Sequence, residues 1–305
     1  MVNKAKTTLC ITAYNSEANI KTLLFSLLKQ NKFNSIVASI IVYSDNSSDA
    51  TVMEAKKVKN KRLIIIHSKV RLGFAGVVKK LLKLSKTEIV VLLNDDIKIE
   101  DKDFITKLIK PFYKERNVGL VTGHPLPLKQ KTFIEAAVIS SINVYENMCY
   151  SLKGENNLYT CDGKILALSK EFISSIEFPK SIKDVGNLDT FLYFSCLTND
   201  FKYRNVKNAK VFYRCPNNLK DYIKWYIRNN ADKHLLLSMF GDIVSKEYQK
   251  PKAIYLKYAL IEFIKNPLGC AFIFLSGFYI NFKAKEYAKN ITTTWDTVES
   301  TKNLN

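Results

Sequence analysis

Ile89-Val90-Val91-Leu92-Leu93-Asn94-Asp95-Asp96 is a run of five apolar side chains that stops abruptly on an amide and two acids. A continuous apolar run of this length, with no alternation, reads as a strand covered on both faces, as in the middle of a parallel sheet. Working outward, further strands are predicted at residues 7–13, 36–43, 62–67 and 118–123, with the central one at 88–93. Between them, residues 17–30, 49–58, 74–84 and 102–114 carry Leu, Ile or Val at helical spacing. The alternation predicts an α/β fold, a doubly wound and mainly parallel sheet flanked by helices. Ligands of such sheets sit outside the carboxyl ends of the strands. Residues just after each strand are therefore the candidates for chemistry.

Beyond residue 123 the alternation gives way to an amphipathic stretch at 131–150, a strand near 160–168, a short helix beginning near Gly186 and a strand at 206–213. Residues 1–217 are expected to form one catalytic domain, with a nucleotide-binding half at 1–123 and an acceptor half at 124–217. Residues 218–305 read as a helical, apolar and basic C-terminal region, with helices at 218–240 and 255–264. The most apolar segment, 268–282, is shorter than the ~18–20 residues that cross a bilayer. It reads either as a buried core helix or, given the lysines at 250, 252, 257, 265, 283, 285 and 289, as an interfacial or re-entrant membrane segment. The chain starts directly on its first strand with no signal peptide, so a cytoplasmic catalytic portion, peripheral at the inner face of the membrane, is expected.

The 305 residues are 47% hydrophobic and 12% aromatic, which excludes wholesale disorder and a disulfide miniprotein. Six cysteines lie far apart without a C-x-x-C pair, so neither a zinc ribbon nor a thioredoxin-like centre is indicated, and reduced, mostly buried thiols are expected. The net charge of +19 is unevenly spread. The first hundred residues hold 17 basic and 8 acidic side chains, the next hundred 12 of each, and the remainder 18 and 8. That field favours an anionic partner, whether nucleic acid, a phospholipid surface or a phosphorylated small molecule. No nucleic-acid motif is present, so nucleic acid is not expected. His67, His124 and His234 are too scattered for a metal site, and no serine or cysteine nucleophile has a recognisable partner.

Four strand ends carry the chemistry. Ala13-Tyr14-Asn15-Ser16-Glu17 enters a helix, whose N-terminal amides can hold a base or phosphate, although Asn15 or Ser16 would also serve as an ordinary cap. In Ser44-Asp45-Asn46-Ser47-Ser48-Asp49, Ser48 or Asp49 suits the next helix cap, leaving Asp45 free to accept hydrogen bonds from a base or ribose. Arg71-Leu72-Gly73 follows the third strand, and the lack of G-x-G-x-x-G after the first removes the main support for a dinucleotide-binding dehydrogenase. After the fourth strand, Asp95 and Asp96 repel one another and need a cation near a core. A divalent metal carrying a diphosphate fits, because Mg²⁺ is held by one or two carboxylates plus substrate phosphates. The plainer alternative, solvated acids capping the next helix, is less apt because Glu100, Asp101 and Asp103 are closer to that helix.

Taken in order, Ala-Tyr-Asn-Ser-Glu at 13–17, Ser-Asp-Asn-Ser-Ser-Asp at 44–49, Arg-x-Gly at 71–73 and Leu-Asn-Asp-Asp-Ile at 93–97 resemble the family 2 nucleotide-diphosphate-sugar glycosyltransferases of GT-A fold. Asp162-Gly163-Lys164 and Leu188-Asp189-Thr190 extend the resemblance, which covers residues 6 to about 230. It implies that Ala13, Tyr14, Asn15, Glu17, Asp45, Arg71, Asn94 and Asp95 surround the nucleotide, that Asp96 binds Mg²⁺ or Mn²⁺ on the diphosphate, and that Asp189 is the general base. Asp189 also suits a plain role as a first-turn helix acid, with Asp184 the substitute base. Asn94 stands where the family usually has the first acid of D-x-D, and Leu188 where it has glutamate. Trp225-Tyr226-Ile227-Arg228-Asn229 matches the Q-x-x-R-W of processive members only at Arg228, which argues against polymer synthesis.

The implied activity is inverting, metal-dependent transfer of a sugar, most simply from a UDP-sugar, to a hydroxyl of a glycan or lipid-linked acceptor, with an anionic membrane surface as a further partner. Asn94 and Leu188 leave open a catalytically silent nucleotide-sugar or membrane-docking module, and paired acids at a strand end also suit a nucleotidyltransferase.

Overall fold

The computed structural model describes residues 6–179, 185, 187–229, 233–288 and 298–304. Its strands are β1 (Thr7–Ala13), β2 (Val37–Ser44), β3 (Leu63–His67), β4 (Ile89–Asn94), β5 (Val118–Pro127), β6 (Ile165–Ser169) and β7 (Lys202–Tyr213). They form one sheet in the order β3-β2-β1-β4-β6-β5-β7. β1 pairs in parallel with β2 and β4, β2 with β3, and β5 with β7, whereas β6 runs antiparallel to β4 and β5. Helices α1 (Ile20–Leu28), α2 (Phe33–Ile36), α3 (Thr51–Lys56), α4 (Gly73–Leu84), α5 (Phe104–Lys114), α6 (Phe133–Tyr150), α7 (Lys170–Ser175) and α8 (Leu188–Thr198) accompany the sheet. α9 (Leu219–Asn229), α10 (Lys233–Phe240), α11 (Asp242–Glu247), α12 (Lys252–Lys265) and α13 (Pro267–Ala288) follow.

The fully apolar central strands feed two cores, because successive side chains of a strand point to opposite faces. Leu9, Ile11, Val91 and Leu93 pack with α1 and α5 residues such as Leu24 and Phe104 on one side. Cys10, Val90 and Leu92 pack with α4 and α8 residues such as Leu81 and Phe194 on the other. Five of the six cysteines are buried and all six are free, in line with the expectation of reduced core thiols.

The predicted mainly parallel sheet is present, and the reversed β6 is what the alternation did not disclose. Because β6 runs backwards, the residues leading into it, 162–164, lie beside the carboxyl end of β4, where Asn94 donates its backbone N–H to the Lys164 carbonyl at 3.2 Å. The amphipathic stretch expected at 131–150 is α6 from Phe133 onward, which starts on a reciprocal cap. Thr132 Oγ1 accepts from the Glu135 N–H, and Glu135 Oε2 accepts from the Thr132 N–H. Buried Glu135 also pairs with buried Arg214 at 3.3 Å, tying the start of α6 to the end of β7.

Residues 268–282 lie within α13, and the core reading holds for its inner side alone, where buried Ile280 joins Tyr222 and Phe272 and Ile273 pack against them. α12 and α13 pack on α6 and α9 through Asn143 to Glu262, Asn266 to Ser140, and the Tyr222 to Ser276 hydroxyl pair. Their outward side leaves Leu260, Ile264, Leu268, Phe274, Phe278 and Phe282 between 62% and 74% exposed. Among the described residues no helix is long and apolar enough to cross a membrane.

Candidate active site

Register brings the carboxyl ends of three strands to one level: Ala13 lies opposite Ser44, and Thr12 opposite Asn94. The crevice above them opens into a cavity of about 680 Å³. Where the β1 and β4 ends meet it, Asp95 is buried, accepting from the Tyr14 N–H at 2.9 Å. The Arg71 guanidinium lies 3.8 Å over the Tyr14 ring. Asp45 is not free as expected, because its two carboxylate oxygens accept from the N–H groups of Leu72 and Gly73 at 2.7 and 2.9 Å. It thereby covers the positive N-terminus of α4 from a neighbouring strand. Gly73 has φ of 75°, a conformation that favours glycine, and this turn delivers both amides. Each carboxylate oxygen retains a lone pair for a further donor.

Across the cavity, Asp189 sits in the first turn of α8, where its Oδ2 accepts from the Gly163 N–H at 2.9 Å and its Oδ1 from the Thr190 N–H at 2.8 Å. Burial, and then the nearby Asp162, push its carboxyl above the usual carboxylate range against these two hydrogen bonds. A carboxylate in that condition is a stronger base than a solvated one.

Eight of the ten site residues expected from the sequence line this one cavity: Ala13, Tyr14, Asp45, Arg71, Asn94, Asp95, Asp96 and Asp189. Asn15 and Glu17 do not. Asn15, in a left-handed conformation with φ of 46°, accepts from the Ser48 N–H, and Glu17 accepts from the Ala50 N–H, so both side chains fasten the 13–17 loop to the 46–51 loop. Asp101, and neither Asp95 nor Asp96, meets the backbone entering α5, accepting from the Asp103 N–H. Leu188 is a core residue. Asp184 lies outside the described residues, as does the side chain of Arg228.

Two features had no sequence signal. His124 Nε2 lies 2.6 Å from Glu146 Oε1 in the same cavity, whose lining also holds the aromatic rings of Tyr145, Tyr159 and Trp225, with Lys250 over Tyr145 at 4.8 Å. Lys302 enters from far along the chain and places Nζ 2.6 Å from Asp95 Oδ1. Asp95 and Asp96 raise the Lys302 ammonium against burial, while burial and Asp96 push the Asp95 carboxyl up against Lys302. The adjacent acids were expected to need a cation, and the chain supplies one such counter-charge itself.

The glycosyl transferase family 2 model matches residues 8–169, which hold β2 through β6, β1 from its second residue, and Tyr14, Asp45, Arg71, Asn94, Asp95 and Asp96, but not Lys302. The chain belongs to glycosyl transferase family 2. As such it is a glycosyltransferase. It is 27% identical over 212 residues, 67% of this chain and 75% of its relative, to the Escherichia coli UDP-Glc:alpha-D-GlcNAc-diphosphoundecaprenol beta-1,3-glucosyltransferase WfaP. Its fold matches Mycobacterium tuberculosis glucosyl-3-phosphoglycerate synthase crystallised with Mn²⁺, UDP and phosphoglyceric acid, at TM-score 0.56 and 17% identity over 78% of this chain and 79% of the other. The same enzyme with Mg²⁺ and UDP matches at TM-score 0.56 and 16% identity, over 78% and 80%.

In this family 2 glycosyltransferase the donor end suits a divalent cation. Asp96 Oδ1 and Asn94 Oδ1 are buried with no hydrogen-bond partner, and among the described residues the Lys302 ammonium pairs with Asp95, which leaves Asp96 to meet a further cation. Among the described residues no set of three His, Cys, Asp or Glu could hold a metal, so an ion here would lean on substrate phosphates for most of its ligands.

Proposed function

We propose that this family 2 glycosyltransferase transfers a hexosyl residue, with inversion, from a UDP-sugar to a hydroxyl of a lipid-linked acceptor at an anionic membrane face. The observation that carries the reading is that Asp96, from the end of β4, and Asp189, from the start of α8, line one cavity. The donor lies with its base toward Asp45 and Tyr14 and its diphosphate toward Asp95 and Asp96. Asp96, together with the phosphates, would hold Mg²⁺ or Mn²⁺, which would supply charge stabilisation to the leaving group. Asp189 accepts the proton of the acceptor hydroxyl while that oxygen bonds to the anomeric carbon and the bond from that carbon to the UDP oxygen breaks. Attack opposite the leaving group inverts the centre.

A lipid-linked acceptor is favoured by the aromatic wall with Lys250 and by the uncovered apolar side of α12 and α13. Tyr255 of α12 lines the cavity itself, so the helix that offers an apolar face also borders the site. Such a helix pair lies in the interface of a bilayer with its lysines toward anionic headgroups. The relative WfaP, which is named for a diphosphoundecaprenol-linked acceptor, supports the same class.

The test is turnover of UDP-glucose with a polyprenyl-diphospho-sugar acceptor, with Mn²⁺ or EDTA, in the wild type and Asp189→Asn. Release of UDP, a product of inverted anomeric configuration, and a loss of at least ~100-fold in kcat for the variant are expected. Full activity in Asp189→Asn, or release of pyrophosphate instead of UDP, would sink the reading.

A further inference from the structure

We propose that Lys302 is a donor-site residue in its own right: a cation built into the chain that contacts the diphosphate of the bound nucleotide, beside whatever metal Asp96 holds. The inference rests on the donor assignment above and adds to it a residue lying outside the 8–169 region that the family model spans.

The geometry is that of a constructed element. From residues 298–304, Val298, Thr301 and Lys302 line the same space as Asp96 and Asp189. The segment is fastened at two separated places. Asp221, near the start of α9, accepts from the Ser300 N–H at 2.8 Å, and the Ser300 hydroxyl accepts from the Asn217 N–H at 3.3 Å. At the other end, Asn19, just before α1, donates to the Lys302 carbonyl at 2.5 Å. Val298 is buried. Residues 298, 300 and 302 are thereby anchored, and the mostly buried Lys302 side chain sets its ammonium on Asp95.

An ammonium has three donors, and Asp95 Oδ1 uses one of them at 2.6 Å. The remaining donors lie in the crevice where two acids and an incoming diphosphate meet. Burying a diphosphate against Asp95 and Asp96 without added positive charge would be strongly repulsive. Asn94, in place of an acid, weakens the hold on a divalent ion, and a fixed lysine offsets that loss. A chain-borne cation also differs from a dissociable one in that it is present whether or not metal is bound.

The experiment is calorimetric titration with UDP and with uridine, each in EDTA and in Mn²⁺, on the full chain as wild type, Lys302→Met and Lys302→Arg, with thermal melting to confirm folding. Lys302→Met is expected to weaken UDP binding in EDTA by roughly tenfold to a hundredfold while leaving uridine binding unchanged. Lys302→Arg should retain most of the affinity. Unchanged UDP affinity in Lys302→Met would overturn the proposal by making the lysine purely structural, and tighter binding would overturn it by making the segment an obstruction. Neither outcome touches the donor assignment. Failure of the wild type to bind UDP even with Mn²⁺ would overturn that assignment and this role together.

Discussion

The Gly163 amide points at Asp189 Oδ2 across 2.9 Å, and a Cβ added to Gly163 would come within 3.2 Å of the same oxygen. The glycine thus lets a loop from the acceptor half approach closely enough to aim the proposed base. Gly163→Ala should move Asp189 by a few tenths of an ångström. A fall in kcat of roughly tenfold to a hundredfold, with little change in KM for the donor, is expected from steady-state kinetics. Equal losses in KM and kcat would argue against a positioning role.

Burial and Asp162 hold Asp189 above the ordinary carboxylate range, and that shift has a defined consequence for rate. The base works only when ionised, so activity is lost as pH falls through its raised pKa. The acid limb of kcat/KM should accordingly lie at higher pH than an unperturbed aspartate gives, and Asp162→Asn, which removes a repelling charge, should move it down. A pH–rate profile of both proteins checks the direction.

Helices α12 and α13 should seat on anionic vesicles. Phe274→Glu combined with Phe278→Glu puts charge on side chains that are two-thirds exposed and packed edge-to-face at 5.2 Å. Cosedimentation with vesicles of anionic phospholipid should weaken at least ~tenfold, since each buried aromatic contributes about 1.5–3 kcal/mol, while melting temperature stays nearly constant. Equal binding to neutral and anionic vesicles would refute the part assigned to the lysines.

The buried Arg214–Glu135 pair should be costly to break from one side. Arg214→Met leaves a buried carboxylate unpaired and should cost about 3–5 kcal/mol in urea unfolding. Adding Glu135→Gln should recover part of that loss, although the amide caps α6 less well.

How much of this could be read from the chain differs residue by residue. Asp96 was legible because a fully apolar strand of period-free hydrophobicity must end at the crevice of a parallel sheet. Asp189 was reachable only through the order of motifs, since its surroundings come from Gly163 and Thr190, on two elements. Asp45 was rightly put at the crevice but wrongly thought unengaged, because its amide donors belong to a turn 27 and 28 residues away. Hydropathy identified 268–282 as apolar without telling whether protein covers it, which depends on the partner face. Lys302 left no trace in the pattern: it is one lysine among many, and its meeting with Asp95 spans a separation of 207 residues.

The reversed direction of β6 has a wider consequence. β5 and β6 are antiparallel neighbours, so everything from residue 128 to 164, with α6 and the Gly163 turn, is an excursion that leaves the sheet and returns to the adjacent lane. The proposed nucleotide end is assembled mainly from β1, β2 and β4, none of which interrupts that excursion. Much of the wall proposed to face the incoming hydroxyl can therefore diverge among relatives, or be exchanged by design, without rethreading the strands proposed to grip the donor.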